Sequence, residues 1–461
     1  MATIQAAIAA NRFGLGARPG ELEKIGRDHA DWLLAQLNGL DSDSQNGSGG
    51  TADIIREYQR LARIRNEARR NDDDARRDQA AQDFRNFNRE QYRQQATRRY
   101  SIAAGTERPF RERLVHFWTN HFAISADKQT VTALVGKFED EAIRPHVTGR
   151  FSDMLKAVEQ HPAMILYLDN QASIGPNSMA ARAAARRGRE LGLNENLARE
   201  ILELHTLGVD GGYSQEDVTT FAEVITGWSV GGNIDRRNAV ETGEFVFRAN
   251  AHEPSAKTIL GKRYREDGLR EGEAVLEDLA RHPSTAHFLA GKLARHFVAD
   301  EPPMQLVDDL ATTYARTDGD LSAVYRALIE SDYAWREPLA KYKTPGDFLV
   351  STFRAFNSEP DNPERMLNFL ELLGQRPYTP GSPAGWPDTM AHWDGGDALI
   401  KRIEWGAAVG QQISDRARPV ELGDAILGPV FSDHTRTMVS GAESPAQGLT
   451  LLLASPEFQR R

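Results

Sequence analysis

The chain has 461 residues, 40% hydrophobic and 26% charged, which supplies a sizeable core and argues against wholesale disorder. Lys and Arg number 56 against 66 Asp and Glu, and the net charge of −10 argues against a general nucleic-acid binder. There is no cysteine, hence no disulfide, thiolate metal site or cysteine nucleophile, and no apolar run approaches the ~18 residues of a membrane span.

The opening, MATIQAAIAANRFGLGARPGE, lacks the basic start, continuous apolar core and small-residue cleavage site of a secretory leader, so as it stands the chain reads as cytoplasmic. Ile4 to Phe13 and Pro19 to Leu40 predict short helices, the second burying Ile25, Trp32, Leu33 and Leu37. Asp41 to Gly50, rich in Ser, Asn and Gly, reads as a linker. The Arg-rich segment 54–100 predicts a long charged helix or hairpin broken near Asn71 to Asp74. It is either an arm for an anionic polymer or a solvated helix laced with internal ion pairs.

Pro109 to Phe122 predicts a compact helix with Phe110, Leu114, Phe117, Trp118 and His121 on one face and Glu112, His116, Thr119 and Asn120 on the other. Helices follow over Val131 to Ile143, Ser152 to Gln160 and Pro162 to Asp169, and a basic segment, Met179 to Gly192, carries Arg182, Arg186, Arg187 and Arg189 into the next helix. From Asn194 to Trp228 the chain reads as helix, Gly-rich turn, helix. Asn194 caps the first helix, and Ser214 with Asp217 forms a capping-box variant for the second. Wound at ~100° per residue, the first helix places Leu197, Ala198, Ile201, Leu202, Leu204 and His205 on a broad apolar arc. Asn196, Glu200 and Glu203 fall opposite.

Strand-like composition around EFVFR and KTILGKRY predicts a small β insertion at 230–264. Helical periodicity returns over Gly272 to Arg281, Thr285 to Val298, Met304 to Arg316, Leu321 to Ser331, Phe348 to Phe356 and Pro363 to Leu373. A loop at 374–396 holds Trp386 and Trp393 among Pro, Gly and Asp, and a loop of that length with large aromatics reads as a binding or packing lid. Leu399 to Ile413, Val420 to Leu427 and Ala446 to Leu453 complete the helices. The fold class is therefore mainly α: one large multi-helical body over 1–461 with a small β insertion.

Linked motifs along nearly the whole chain carry a resemblance. They are FRERLVHFWTNHFAIS, HPAMILYLDNQ, the Asn194–Trp228 stretch, HEPSAKTILG, HPSTAHFLAGKLARHFV, YKTPGDFLVSTFRA, LGQRPYTPGSPAGWP and LLLASPEFQ. In these the chain resembles the bacterial domain of unknown function 1800 family. The resemblance assigns no catalytic residue; it implies that many relatives are exported, which leaves localisation open.

The candidate chemistry joins two helices. Glu112 and His116 are one turn apart with Asn120 a turn further, and Glu200, Glu203 and Asn196 share a face of the other helix. If those faces oppose, Glu200, Glu203, His116 and Asn120 form a catalytic set, in which mutual repulsion keeps one Glu protonated as a general acid. Asn196, Arg199, Tyr213 and Trp386 would contact substrate, with an Arg from 182–189 nearby. Glu112, His116, Glu200 or Glu203 could alternatively hold a metal, although the i, i+4 spacing of Glu112 and His116 departs from the Glu-x-x-His of di-iron bundles. His121 and His205 read as buried core histidines. Asn120 beside His121 also resembles the Asn/His pairs of helical polysaccharide lyases, with Tyr213 as acid or base. His252, near Glu253 and Lys257, either closes over a site or occupies a surface turn.

No Gly-x-Ser-x-Gly elbow, phosphate-binding Gly-rich loop or His-Glu-x-x-His is present. Two functions fit. One is a hydrolase or lyase acting on a polar polymer such as a glycan, since aromatics stack on sugars and Arg pairs with acidic groups. The other is a non-enzymatic binding or assembly protein that uses the Arg-rich helix and the Trp loop.

Overall fold

Helical periodicity decides the architecture: the described residues form 24 α-helices and four three-residue strands, mainly α with a small β insertion. The structure is a computed structural model describing residues 2–39, 49–70, 73–232, 243–360, 362–415 and 417–461. The linker segment 41–48, Asn71 and Asp72 at the break in the Arg-rich segment, and 233–242 within the β insertion lie outside the described residues. No described helix is long and apolar enough to cross a membrane.

Local chemistry sets the helix starts. Proline occupies the first turn of the Pro109–His121, Pro162–Tyr167, Pro283–Phe297, Pro345–Ala355 and Pro363–Leu372 helices, where its missing N–H costs nothing. Side-chain caps precede several of them: His161, His282, Thr344 and Asn362 each accept from a backbone N–H of the first turn. The Ser214–Asp217 capping box has both of its bonds, opening the Gln215–Val224 helix. Some boundaries differ from the sequence reading. Pro19 to Leu40 divides at Gly26, whose φ of 53° breaks it into Glu21–Ile25 and His29–Ala35. Helices that the sequence reading did not give span Met179–Ala185 within the basic segment and Asp433–Ser440.

The Arg-rich segment forms two helices, Thr51–Ala68 and Asp74–Gly105. Arg56–Asp53, Arg60–Glu57, Arg77–Asp74 and Arg93–Glu90 pair along them at i, i+3, a solvated, self-paired surface. Its C-terminal end turns inward, where Arg98 pairs with Asp140 and Arg99 with Glu139. The β insertion is two antiparallel ribbons. Trp228–Val230 pairs with Phe245–Phe247, and Lys257–Ile259 pairs with Lys262–Tyr264.

One contiguous apolar core runs from Ala6 to Phe458. The Pro109–His121 helix passes through it. Phe110, Leu114 and Trp118 are fully enclosed, and Trp118 Nε1 donates to the Tyr325 hydroxyl at 2.6 Å. Its polar side is enclosed as well, with Arg111, Glu112, Arg113 and Thr119 all buried. Charges this deep require partners, and those partners shape the site.

Candidate functional site

A cavity of about 770 Å³ opens where the Pro109–His121 and Pro283–Phe297 helices meet the start of Pro345–Ala355 and the Trp loop. The first helix lines it with Arg113, His116, Phe117, Asn120 and His121, the first two and Asn120 spaced about one turn apart. The second helix contributes Lys292 and His296 at i, i+4 on one face. The loop contributes Trp386 and Asp388.

Asn120 fixes the loop. Its Nδ2 donates to Trp386 O at 2.9 Å, and Trp386 N donates to Asn120 Oδ1 at 2.7 Å. Gly385 makes that approach feasible: its φ is 81°, and a Cβ there would lie 2.2 Å from Asn120 O. Trp393, packed 5.9 Å from the Trp386 ring, donates from Nε1 to Pro387 O at 2.8 Å. Lys341 Nζ donates to Asp388 O at 2.7 Å, and Met390 N donates to Asp300 Oδ2 at 2.7 Å. The loop is thus pinned over the cavity from several sides.

A chain of ion pairs forms one wall. Arg113 Nη1 lies 3.1 Å from Asp347 Oδ1, and Arg461 Nε lies 3.1 Å from Asp347 Oδ2. Arg461 also reaches Asp388, with Nη2 at 3.8 Å from Oδ1. Burial alone would raise both carboxyls. The charges of Arg113 and Arg461 at Asp347, and of His296, Lys341 and Arg461 at Asp388, overcome it and hold both well below the usual carboxylate range.

Asp388 Oδ2 lies 2.6 Å from His296 Nδ1. An ionised carboxylate only accepts, so this contact fixes the proton on Nδ1. Burial lowers the His296 pKa against the opposing pull of Asp388, so the ring is neutral at pH 7. Nε2 then carries a bare lone pair, and it is buried with no hydrogen-bond partner. His121, on the same cavity, likewise keeps its buried Nδ1 without a hydrogen-bond partner.

His116 Nε2 lies 3.5 Å from Glu112 Oε1, while Arg144 Nη2 donates to the same oxygen at 2.9 Å and Arg144 Nη1 pairs with Oε2. Burial, then the Arg99 charge, brings His116 down to about 4, so it too is neutral at pH 7. Lys292 is brought down to about 8 by burial. It makes no hydrogen bond or ion pair among the described residues, its Nζ lying 5.5 Å from the Phe288 ring centroid.

The structure divides the sequence-derived site residues between two places. His116, Asn120 and Trp386 line the cavity; Glu200, Glu203, Asn196, Arg199 and Tyr213 do not. The expected convergence of Glu200 and Glu203 on His116 is not present, and the charges acting on His116 are Arg99, Glu112 and Asp347. The reason lies in the signature helix. Its apolar side, with His205, faces the Pro109–His121 helix, where His121 Nε2 lies 3.1 Å from His205 O. The carboxylates therefore lie on the other side. The helix also changes pitch: after Asn196–Glu200 it continues as a π-helix over Ile201–Thr206, so a 100° wheel loses phase at Ile201.

On that second surface Asn196 N donates to Asn194 Oδ1 at 2.9 Å, and Arg199 pairs with Glu195 and donates to Gln215. Burial and then the Glu203 charge, opposed by His205 and Arg199, raise Glu200. Burial and Glu203 raise Tyr213. Arg182, Arg186, Arg187 and Arg189 are exposed.

Two further histidines that the sequence singles out, His205 and His252, are buried. His205 is fully buried with Nδ1 2.8 Å from Glu159 Oε1. His252 is neither a surface turn nor a lid. It is buried between Thr226 O at 3.1 Å and Glu271 Oε2 at 3.2 Å, beside Lys257. Among the described residues no three His, Asp or Glu side chains are grouped so as to hold a metal ion, and Glu112, His116, Glu200 and Glu203 form no such set.

The sequence reading missed His296, Asp388, Lys292 and Asp347. Two signals existed: His296 closes the helical motif HPSTAHFLAGKLARHFV, and Asp388 follows Trp386 by two residues. Nothing in the sequence joins residues 92 positions apart.

No curated protein matches the chain, and no solved structure does. A family model described as protein of unknown function (DUF1800) matches residues 8–460, nearly the whole length. The chain belongs to the DUF1800 family.

Proposed function

We propose that the protein is a hydrolase or lyase acting on a polar polymer such as a glycan, with His296 as general base. The observation that carries this is the His296–Asp388 contact at 2.6 Å with Nε2 buried and unpartnered at a cavity. A neutral imidazole, oriented by a carboxylate, is poised to take a proton near neutral pH. Trp386 offers a sugar an aromatic face at the same cavity. Asn120 acts as a positioning residue, since both ends of its amide hold the Trp386 backbone. Asp347 and Asp388 are held ionised, which disfavours the two-carboxyl glycosidase arrangement with one protonated acid.

The test is turnover of a panel of neutral and acidic glycans by the protein and by His296→Gln. The reading expects at least one substrate, with turnover reduced about 10²-fold or more in the variant. An active protein whose His296→Gln variant keeps its rate would refute it. The binding or assembly reading is supported if no panel member is turned over yet one binds at the Trp loop.

A further inference from the structure

We infer that the cavity takes an acidic rather than a neutral glycan, with an anionic substituent of the substrate seated at Lys292. This rests on the glycan reading above and adds the charge of the substrate.

Four cations line the cavity: Arg99, Arg113, Lys292 and Arg295. Arg99 is paired with Glu139 and Arg113 with Asp347. Arg295 is exposed and donates from Nε to Asp300 O at 3.3 Å. Only Lys292 among the four makes no hydrogen bond or ion pair among the described residues; what it faces is the Phe288 ring, 5.5 Å from its Nζ. The nearby carboxylates do not meet that need. Asp347 is held by Arg113 and Arg461, Asp388 by the His296 N–H and the more distant Lys341 and Arg461, and Asp300 by Lys341, while Glu301, exposed on the same cavity, makes no ion pair with Lys292, on which Asp388 acts only from a distance.

A half-buried ammonium without a counter-ion is costly unless something anionic reaches it. Lys292 is one helical turn from His296, so the two side chains face the same space, roughly 6 Å apart at Cβ. A ligand that places a carboxylate or sulfate on Lys292 therefore brings its adjoining atoms to the His296 side of the cavity. Trp386 lines that space too, so one sugar ring bearing an acidic group satisfies the aromatic face, the cation and the base together. A point-charge ammonium recognises either kind of oxyanion, and the test below separates them.

Calorimetric titration would compare tetragalacturonate, a sulfated tetrasaccharide and neutral cellotetraose against the unmodified protein, Lys292→Met, Lys292→Arg and His296→Gln. The expected result is binding of at least one acidic ligand about tenfold or more tighter than cellotetraose. That preference disappears in Lys292→Met and survives in Lys292→Arg and His296→Gln. Preference for tetragalacturonate alone identifies a carboxylate, preference for the sulfated ligand alone a sulfate ester, and preference for both identifies charge as such. Equal binding of all three, binding of none, or a preference that persists in Lys292→Met overturns the inference. Lys292→Arg guards against misfolding as the cause of loss. Acidic preference without turnover would sink the catalytic role of His296 and leave the anion site standing; turnover of neutral glycans without preference would do the reverse.

Discussion

At the scale of single residues, the site depends on which nitrogen of His296 carries a proton. Asp388 fixes it on Nδ1. Asp388→Asn replaces an acceptor-only group by an amide that can present its NH₂ to Nδ1, which favours the opposite tautomer and removes the base. Turnover should fall about 10²-fold or more, and nitrogen-resolved NMR of the imidazole should show the proton moved to Nε2. An unchanged tautomer in that variant would contradict the assignment. The pH dependence has a definite sign. Burial holds the His296 pKa below 6.5, so kcat/KM should rise with pH, reach half its plateau below pH 6.5, and stay level through pH 7. An ascending limb centred above pH 7 would identify a different group.

At the scale of elements, the Trp loop and the signature helix make separate predictions. Asn120→Ala removes both hydrogen bonds to the Trp386 backbone, worth about 0.5–1.5 kcal/mol each. Global stability should fall by no more than that sum, while KM rises because the aromatic face loses its position. Wild-type KM in the variant would show that the loop does not contact substrate. Glu200→Gln and Glu203→Gln should leave turnover unchanged, because neither residue lines the cavity. Loss of turnover in either would move the reaction to the signature helix.

The same helix shows where the sequence was legible. Its apolar arc and the Ser214–Asp217 capping box follow from side-chain chemistry within a few residues; the structure has the box and buries Leu197, Ala198, Ile201, Leu202 and His205 of the arc, while Leu204 is only half-buried. Its acidic stripe is equally visible in sequence, but which neighbour that stripe meets depends on packing between distant segments. The π-helical turn at Ile201–Thr206 has no composition signal, and it displaces every wheel position after it. His116, Asn120 and Trp386 were found because they sit on one helix and one aromatic-rich loop. His296 and Asp388 were not, because their pairing is a contact between remote elements.

At the scale of the whole molecule, buried charge makes the fold sensitive to acid. Glu112, Asp347 and Asp388 have folded pKa values below their ordinary ones. Their contribution is therefore complete above the unfolded values of 4.5 and 3.8 and is lost as pH falls below them. His116 acts at higher pH: folded at about 4 against 6.5 unfolded, it binds fewer protons than the unfolded chain between those values. Stability should therefore decline from about pH 6.5 downward, by on the order of 3 kcal/mol for His116 alone by pH 4, and more steeply once the carboxylates protonate. Denaturant unfolding at a series of pH values checks this; stability that is flat from pH 7 to pH 4 would contradict it.

The central claim places the chemistry at the cavity between the Pro109–His121 and Pro283–Phe297 helices rather than on the Glu200–Glu203 face. The most direct measurement compares kcat of His296→Gln with that of the Glu200→Gln/Glu203→Gln double variant on one glycan substrate, with folding of both checked by circular dichroism. The account predicts that the double variant keeps the wild-type kcat while His296→Gln loses about 10²-fold or more. A folded His296→Gln protein with wild-type kcat, beside an inactive double variant, would contradict it.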